Sequence, residues 1–284
     1  MVNETGAGTE DLQVLQFEFV QQWEHLMMYF HQRGIHFMGE VPSYVAHDSA
    51  DVWAHPDLFY LDDQGRPTVV SGVPPDYFSA RGQLGGNPIY RWNLLAASGG
   101  KWWIDRFRAS LALFVRLEHF RGFESYPEVP AGQTTAIHGR WVKGPGEHFL
   151  SALQNACGEL PILSENLGVI TPPAEKLRRQ FARPGMSLLQ FAFGTDPQGP
   201  SFRPHNYTRD LVAHTGGHDN EPTIGWWSSS GAGDSTRTPE EVRKEHDFAR
   251  AYLNLLWRSG YQLDHDRCGA SVGCRRGDLF RCRM

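Results

Sequence analysis

The sequence predicts an α/β fold of the (β/α)8, TIM-barrel type. Helix and strand signals alternate along the chain, as parallel βαβ units require. The strand-like runs are apolar throughout, which suits a sheet covered on both faces. In a barrel of such units the residues that follow each strand line the active face. Glu40, Glu118, Glu165 and Asp219 all stand at or just past the end of a strand-like run.

The elements follow in order. Leu12, Leu15, Phe19, Trp23, Leu26, Met27 and Phe30 recur at helical spacing, and Gly34 sits where a glycine would close that helix. Ile35 to Met38 then reads as a strand running into Gly39-Glu40-Val41-Pro42. From His47 to Tyr90 the chain is rich in Gly, Pro and Asp with little periodicity, and a loop of that length is expected to form a lid or binding loop. A Trp-rich helix at Lys101–Leu111 precedes an apolar strand at Leu113–Leu117. Helix Glu147–Cys157 is stopped by Gly158 and followed by strand Leu160–Leu163. Thr171-Pro172 opens a further helix, with Thr as N-cap and Pro in the first turn. Ser187–Phe193 and Leu211–His214 are the last two strand signals, and Thr238-Pro239-Glu240-Glu241 is a capping-box start for a helix ending near Gly260. Residues 1–263 therefore form one domain with the 47–90 segment inserted as a lid. The Arg/Cys/Gly-rich tail, 264–284, lacks periodicity and is expected to be disordered.

Composition narrows the function. The chain has 284 residues, 40% of them hydrophobic and 21% charged, as in ordinary globular proteins. A net charge of -5 offers no footprint for nucleic acid or an anionic membrane. No apolar run is long enough to span a bilayer, and MVNETGAGTEDLQ lacks the pattern of a signal peptide, so a cytoplasmic location is expected. Cys157 stands alone, while Cys268, Cys274 and Cys282 follow a C-x5-C-x7-C spacing that matches no common zinc pattern. Nine tryptophans are many; their flat faces suit both core packing and stacking on sugar rings.

Three strand-end acids supply candidates for acetal chemistry, which needs two carboxyl groups facing one bond. Arg116, two residues before Glu118, lies on the same strand face, where a cation stabilises the ionised carboxylate and lowers its pKa. His119 and His218 offer donors for sugar hydroxyls. Taken alone, Arg116 also suits a structural ion pair, and the histidines suit core or surface roles. A metal-dependent hydrolase using His214 and His218 is the reading from another class.

The surrounding motifs carry more weight. VAHDSADVWAHPDLF from Val45, GVPPDYFSARGQLGGNPIYRW from Gly72 and VRLEHFRGFESYPEVP from Val115 are long and specific. They continue with AIHGRWVKGPG from Ala136, PILSENLGVIT from Pro161, LLQFAFG from Leu188 and TGGHDNEPTIGWW from Thr215. Between about Phe17 and Trp227 the chain thereby resembles glycoside hydrolase family 77, the amylomaltases or 4-α-glucanotransferases. The resemblance implies an incomplete barrel, about strands 3 to 7, because relatives carry further barrel strands before this region.

It also implies retaining transfer of α-1,4-glucan segments (maltooligosaccharides, starch or glycogen) to glucose or maltose acceptors, with no cofactor or metal. An α-glucan hydrolase and an inactive glucan-binding fragment are the alternatives. By position, Glu118 matches the nucleophile, Glu165 the acid/base and Asp219 the transition-state stabiliser. Arg116, His119, His218, Asn220 and Asp48 match sugar-binding positions, and Asp76, Tyr77 and Phe78 match a lid over the acceptor. The chain departs from the family pattern at Glu40 and Glu118, where the family has aspartate. It also departs at Asn166, which follows the acid where Asp is usual, and at Gly85, which replaces a tryptophan.

Overall fold

The computed structural model describes residues 6–75, 81–110, 114–158, 161–231 and 237–258. Helix α1 (Gly6–His31) ends as expected, with Gly34 at φ 71° and its N–H bonded to the His31 carbonyl. Strand β1 (Met38–Val41) begins where the expected strand ends, because Ile35 and His36 lie outside the sheet. The chain then forms α2 (Ala50–Ala54), β2 (Val69–Val73), β3 (Gln83–Pro88), α3 (Trp92–Ala97) and α4 (Lys101–Ala109). Next come β4 (Phe114–Leu117), α5 (Arg121–Glu124), β5 (Ser125–Pro130), β6 (Arg140–Lys143) and α6 (Gly146–Cys157). The last elements are β7 (Ile162–Ser164), α7 (Pro172–Gln180), β8 (Gly185–Leu188), β9 (Leu211–His214), α8 (Thr223–Ser228) and α9 (Pro239–Arg258).

The five expected parallel strands are present as β1, β4, β7, β8 and β9. The first three form one parallel sheet in that order, and β8 and β9 form another. The Ser164 N–H donates to the Pro184 carbonyl at 2.9 Å and joins the two sheets. Helix starts agree with their sequence signals. Thr171 Oγ1 accepts the Ala174 N–H at 3.4 Å, and Thr238 and Glu241 exchange the two bonds of a capping box. Gly158, at φ 70°, closes α6 as expected.

Two expectations change. The 47–90 segment is not an aperiodic loop: α2, β2 and β3 lie within it. Strands β2 and β3 join β5 and β6 in a four-stranded antiparallel sheet of order β3-β2-β5-β6. Glycine-rich β3 carries no alternating apolar pattern, so its pairing is invisible to periodicity. The run Ser187–Phe193 is a strand only to Leu188. Beyond it, Leu189–Ala192 turns as a 3-10 helix and buries Ala192 and Phe193 against Phe202, Trp226 and Ala249. The expected tail, with its three cysteines, lies outside the described residues.

The main core packs α3, α4, α5 and α6 on the β1-β4-β7 sheet through Leu95, Trp103, Phe107, Phe123, Phe149, Leu153, Val115 and Ile162. Trp103 is fully buried at its centre, 5.4–6.0 Å by ring centroid from Trp92, Phe123, Phe149 and Tyr90. Among the described residues, no helix is long and apolar enough to cross a membrane. Trp103→Ala removes the hub of this cluster and is expected to destabilise the fold by about 3–5 kcal/mol, measured by denaturant unfolding.

Candidate active site

Parallel register brings the acids together. Glu40 on β1 lies beside Arg116 on β4, and Arg116 beside Leu163 on β7. Past the ladder, the Glu118 N–H donates to Val41 O at 3.2 Å, the Glu165 N–H to Leu117 O at 3.0 Å, and the Phe120 N–H to Glu165 O at 3.0 Å. Backbone bonds thus set Glu118 and Glu165 on neighbouring strand ends before any side chain is considered. His119 turns sharply between them at φ 48°, a strained value for a residue with a side chain, and its N–H donates to Glu165 Oε2 at 2.6 Å.

Arg116 is the hub. One Nη sits 3.2 Å from Glu40 Oε1 and donates to His218 Nδ1 at 3.0 Å, while the other reaches Asp219 Oδ2 at 4.0 Å. Because a guanidinium only donates, Nδ1 of His218 is the acceptor and the proton sits on Nε2. That nitrogen faces Asp219 Oδ1 at 3.3 Å and Glu40 Oε2 at 3.9 Å. Arg116 is largely buried, whereas Asp219 and His218 are exposed and accessible to a ligand.

The two glutamates are pushed the same way. Burial raises the Glu165 pKa, opposed by the His119 N–H and by Arg116. Burial and the Glu40 carboxylate raise that of Glu118, and Arg116 only partly offsets them. The expected lowering of Glu118 by Arg116 is present, but burial and the Glu40 carboxylate outweigh it, so the net shift is upward. Burial, reinforced by Arg121, pushes the His119 ring down to about 4, so it is neutral at ordinary pH.

Of the other expected positions, Asn220 closes its own turn, with Oδ1 accepting the Gly217 N–H at 3.0 Å. Asp48 is exposed in the turn before α2, outside the Arg116 network. Asp76, Tyr77 and Phe78 lie outside the described residues. Glu40, a strand-end acid with no role assigned from sequence, belongs to the cluster by register. Gln190 was not foreseen as a site residue, although it lies in the LLQFAFG motif: it follows β8 and donates to the Glu221 carbonyl at 2.9 Å.

Two clefts flank the cluster. One, of about 340 Å³, runs between Glu118, His119 and Tyr44 and the antiparallel sheet at Ser71, Gly85 and Asn87. A Cβ at Gly85 would meet Ser71 Oγ at 2.5 Å, so this wall accepts no side chain there without rearrangement. The other, of about 380 Å³, is lined by Gln190, Phe191, Asp219, Asn220 and Trp226. A further hollow, about 510 Å³, lies at the opposite ends of the strands among Met38, Phe114, Ile162 and Leu211, away from every one of these acids.

The family profile for 4-alpha-glucanotransferase matches residues 3–267, beyond the motif-bearing stretch at both ends. The chain belongs to the 4-alpha-glucanotransferase family. It is 51% identical over 230 residues to the 4-alpha-glucanotransferase of Thermus thermophilus, covering 80% of this chain and 44% of that protein. The Synechocystis sp. enzyme is 50% identical, covering 79% and 45%. The chloroplastic/amyloplastic one of Solanum tuberosum is 44% identical, covering 75% and 37%. Among solved structures, the amylomaltase from Streptococcus agalactiae in complex with acarbose superposes with a TM-score of 0.76 at 36% identity, covering 85% of this chain and 47% of that one. The chain thus spans about half the length of the relatives it matches.

Glu40 is the like charge that acts most strongly on Glu118. Glu40→Gln is expected to lower the titration midpoint of Glu118, followed by carboxyl-carbon NMR; an unchanged or higher midpoint would contradict this assignment.

Proposed function

We propose that this chain carries the catalytic half of a glucanotransferase: β1, β4, β7, β8 and β9 are consecutive strands of a (β/α)8 barrel, and the Arg116 cluster transfers α-1,4-glucan segments with retention. The parallel order β1-β4-β7, continued to the β8-β9 pair by the Ser164–Pro184 bond, supports the barrel reading. The observation that carries the function is the backbone-fixed pair Glu118–Glu165 on adjacent strand ends, with a cleft on each side of the cluster to hold a chain running through it. Binding of the oligosaccharide analogue acarbose by the streptococcal relative supports the same class of ligand.

The two carboxyls divide the labour. The Glu118 carboxylate raises the proton affinity of Glu165, and the more buried Glu165 keeps the proton while Glu118, whose charge Arg116 and His218 both favour, ionises. Ionised Glu118 attacks the anomeric carbon as the glycosidic bond breaks, and Glu165 gives its proton to the departing oxygen. The glycosyl ester on Glu118 is then attacked by the 4-hydroxyl of an acceptor. Glu165, now ionised, takes that proton, and Glu118 leaves as carboxylate. Asp219, His218 and Arg116 hold ring hydroxyls and favour the cationic transition state, and neutral His119 offers a further hydrogen bond without altering charge. Glucans are the donors; glucose, maltose or longer chains accept.

Incubation of the purified chain with maltotriose is expected to give glucose together with a ladder of longer oligosaccharides. Glu165→Gln should slow ladder formation by about 10²–10⁴-fold, the range for general acid–base catalysis. Shorter sugars without a ladder would favour hydrolysis, and binding without turnover would favour a glucan-binding remnant.

A further inference from the structure

We propose that Asn166 is the positioning residue of this site: its side-chain amide, seated over the bare Cα of Gly185, clamps the end of β7 to β8 and so fixes Glu165. The proposal rests on the reading of Glu165 as acid/base.

The seam between β7 and β8 is where the parallel arrangement is weakest. Residues of β1, β4 and β7 are joined by one continuous ladder, and those of β8 and β9 by another. Across the gap the Ser164 N–H reaches the Pro184 carbonyl, and the Met186 N–H donates to Asn166 Oδ1 at 2.7 Å. A side chain therefore supplies the bond that a strand carbonyl supplies elsewhere. Glu165 lies between the two halves. Its backbone N–H and C=O are both committed to the β4 side, through Leu117 and Phe120, so on the β8 side its place depends on its neighbour Asn166.

Gly185 makes room for the clamp. A Cβ there would stand 2.8 Å from Asn166 Oδ1 and 2.9 Å from Nδ2, closer than real contacts allow. The demand is for space, because Gly185 is absent from the residues with positive φ. Asn166 and Gly185, nineteen positions apart, are thus one interlocked unit.

Charge explains why an amide suits the position. Glu165 already faces Glu118 and Arg116 from the β4 end and the His119 N–H. Around Arg116 stand Glu40 from β1, His214 from β9, and His218 and Asp219 from the loop after it. Strand β8, Gly185–Leu188, brings no charge. A carboxylate at 166 could accept the same bond, but would add a negative charge next to the acid and raise its proton affinity further.

The test uses the full chain with four variants: Asn166→Ala, Asn166→Asp, Gly185→Ala and the double variant Asn166→Ala/Gly185→Ala. Thermal melting is expected to show a marked loss for Gly185→Ala alone and a much smaller one when the same change is made in Asn166→Ala. The Glu165 midpoint, from carboxyl-carbon NMR against Glu165→Gln, is expected to rise in Asn166→Asp. For transfer, Asn166→Ala is expected to lower kcat about ten- to a hundredfold with KM little changed, and Asn166→Asp to move the pH profile upward. An equal cost of Gly185→Ala in both backgrounds, or an unmoved midpoint in Asn166→Asp, overturns the proposal. If the wild-type chain transfers nothing, the functional reading fails, and the melting cycle and the midpoint still decide this one.

Discussion

The arrangement depends on one guanidinium in a fixed register. Arg116 stands at the end of β4 with Glu40 directly beside it on β1, and from there it reaches His218 and Asp219, which arrive on the loop after β9. Without a shared cation, three carboxylates converging on one strand-end face would repel one another, and each would gain by turning to solvent. With it, they are held as a cluster, at the cost that no single acid owns the positive charge. Burial and the neighbouring Glu40 carboxylate outweigh that cation, so Glu118 is pushed up in proton affinity although a guanidinium lies two residues away.

The backbone does a separate part of the work. Main-chain bonds among β1, β4 and β7 place Glu118 and His119 and hold Glu165 on the β4 side, leaving its β8 side to the Asn166 amide. This matters because Glu118 is one methylene longer than the family pattern. The longer arm starts from a fixed base, beside Glu40, which is longer by the same amount on the neighbouring strand. Tight backbone control ends at β7; past Ser164 the sheet is continued by a side chain over a glycine.

Much of the fold was legible in the sequence, for physical reasons that differ by element. The parallel strands are buried on both faces, and the caps at Thr171 and Thr238 and the stops at Gly34 and Gly158 are local chemistry, readable within a few residues. The antiparallel sheet was not legible. Its β3 strand is QLGGNP, without alternation, and its order β3-β2-β5-β6 depends on partners far along the chain. The overlong fifth strand had a similar cause: the apolar run after Leu188 serves a core, and burial alone does not say whether a strand or a turn performs it. At the site, residue types and motifs located Glu118, Glu165, Asp219, Arg116 and the histidines, but the balance of charge among them required geometry. Glu40 joined the cluster through register, and Asn166 acquired a task only once Gly185 was seen beneath it.

The account stands or falls on which carboxylate bonds to sugar. The most direct measurement is trapping: incubation with an activated fluorinated α-glucosyl donor, which slows breakdown of the glycosyl ester, followed by proteolysis and mass spectrometry. The account predicts one glycosyl adduct, on the peptide containing Glu118 and at that residue. An adduct on Asp219 or Glu165, or consumption of the donor with no adduct at all, would contradict it.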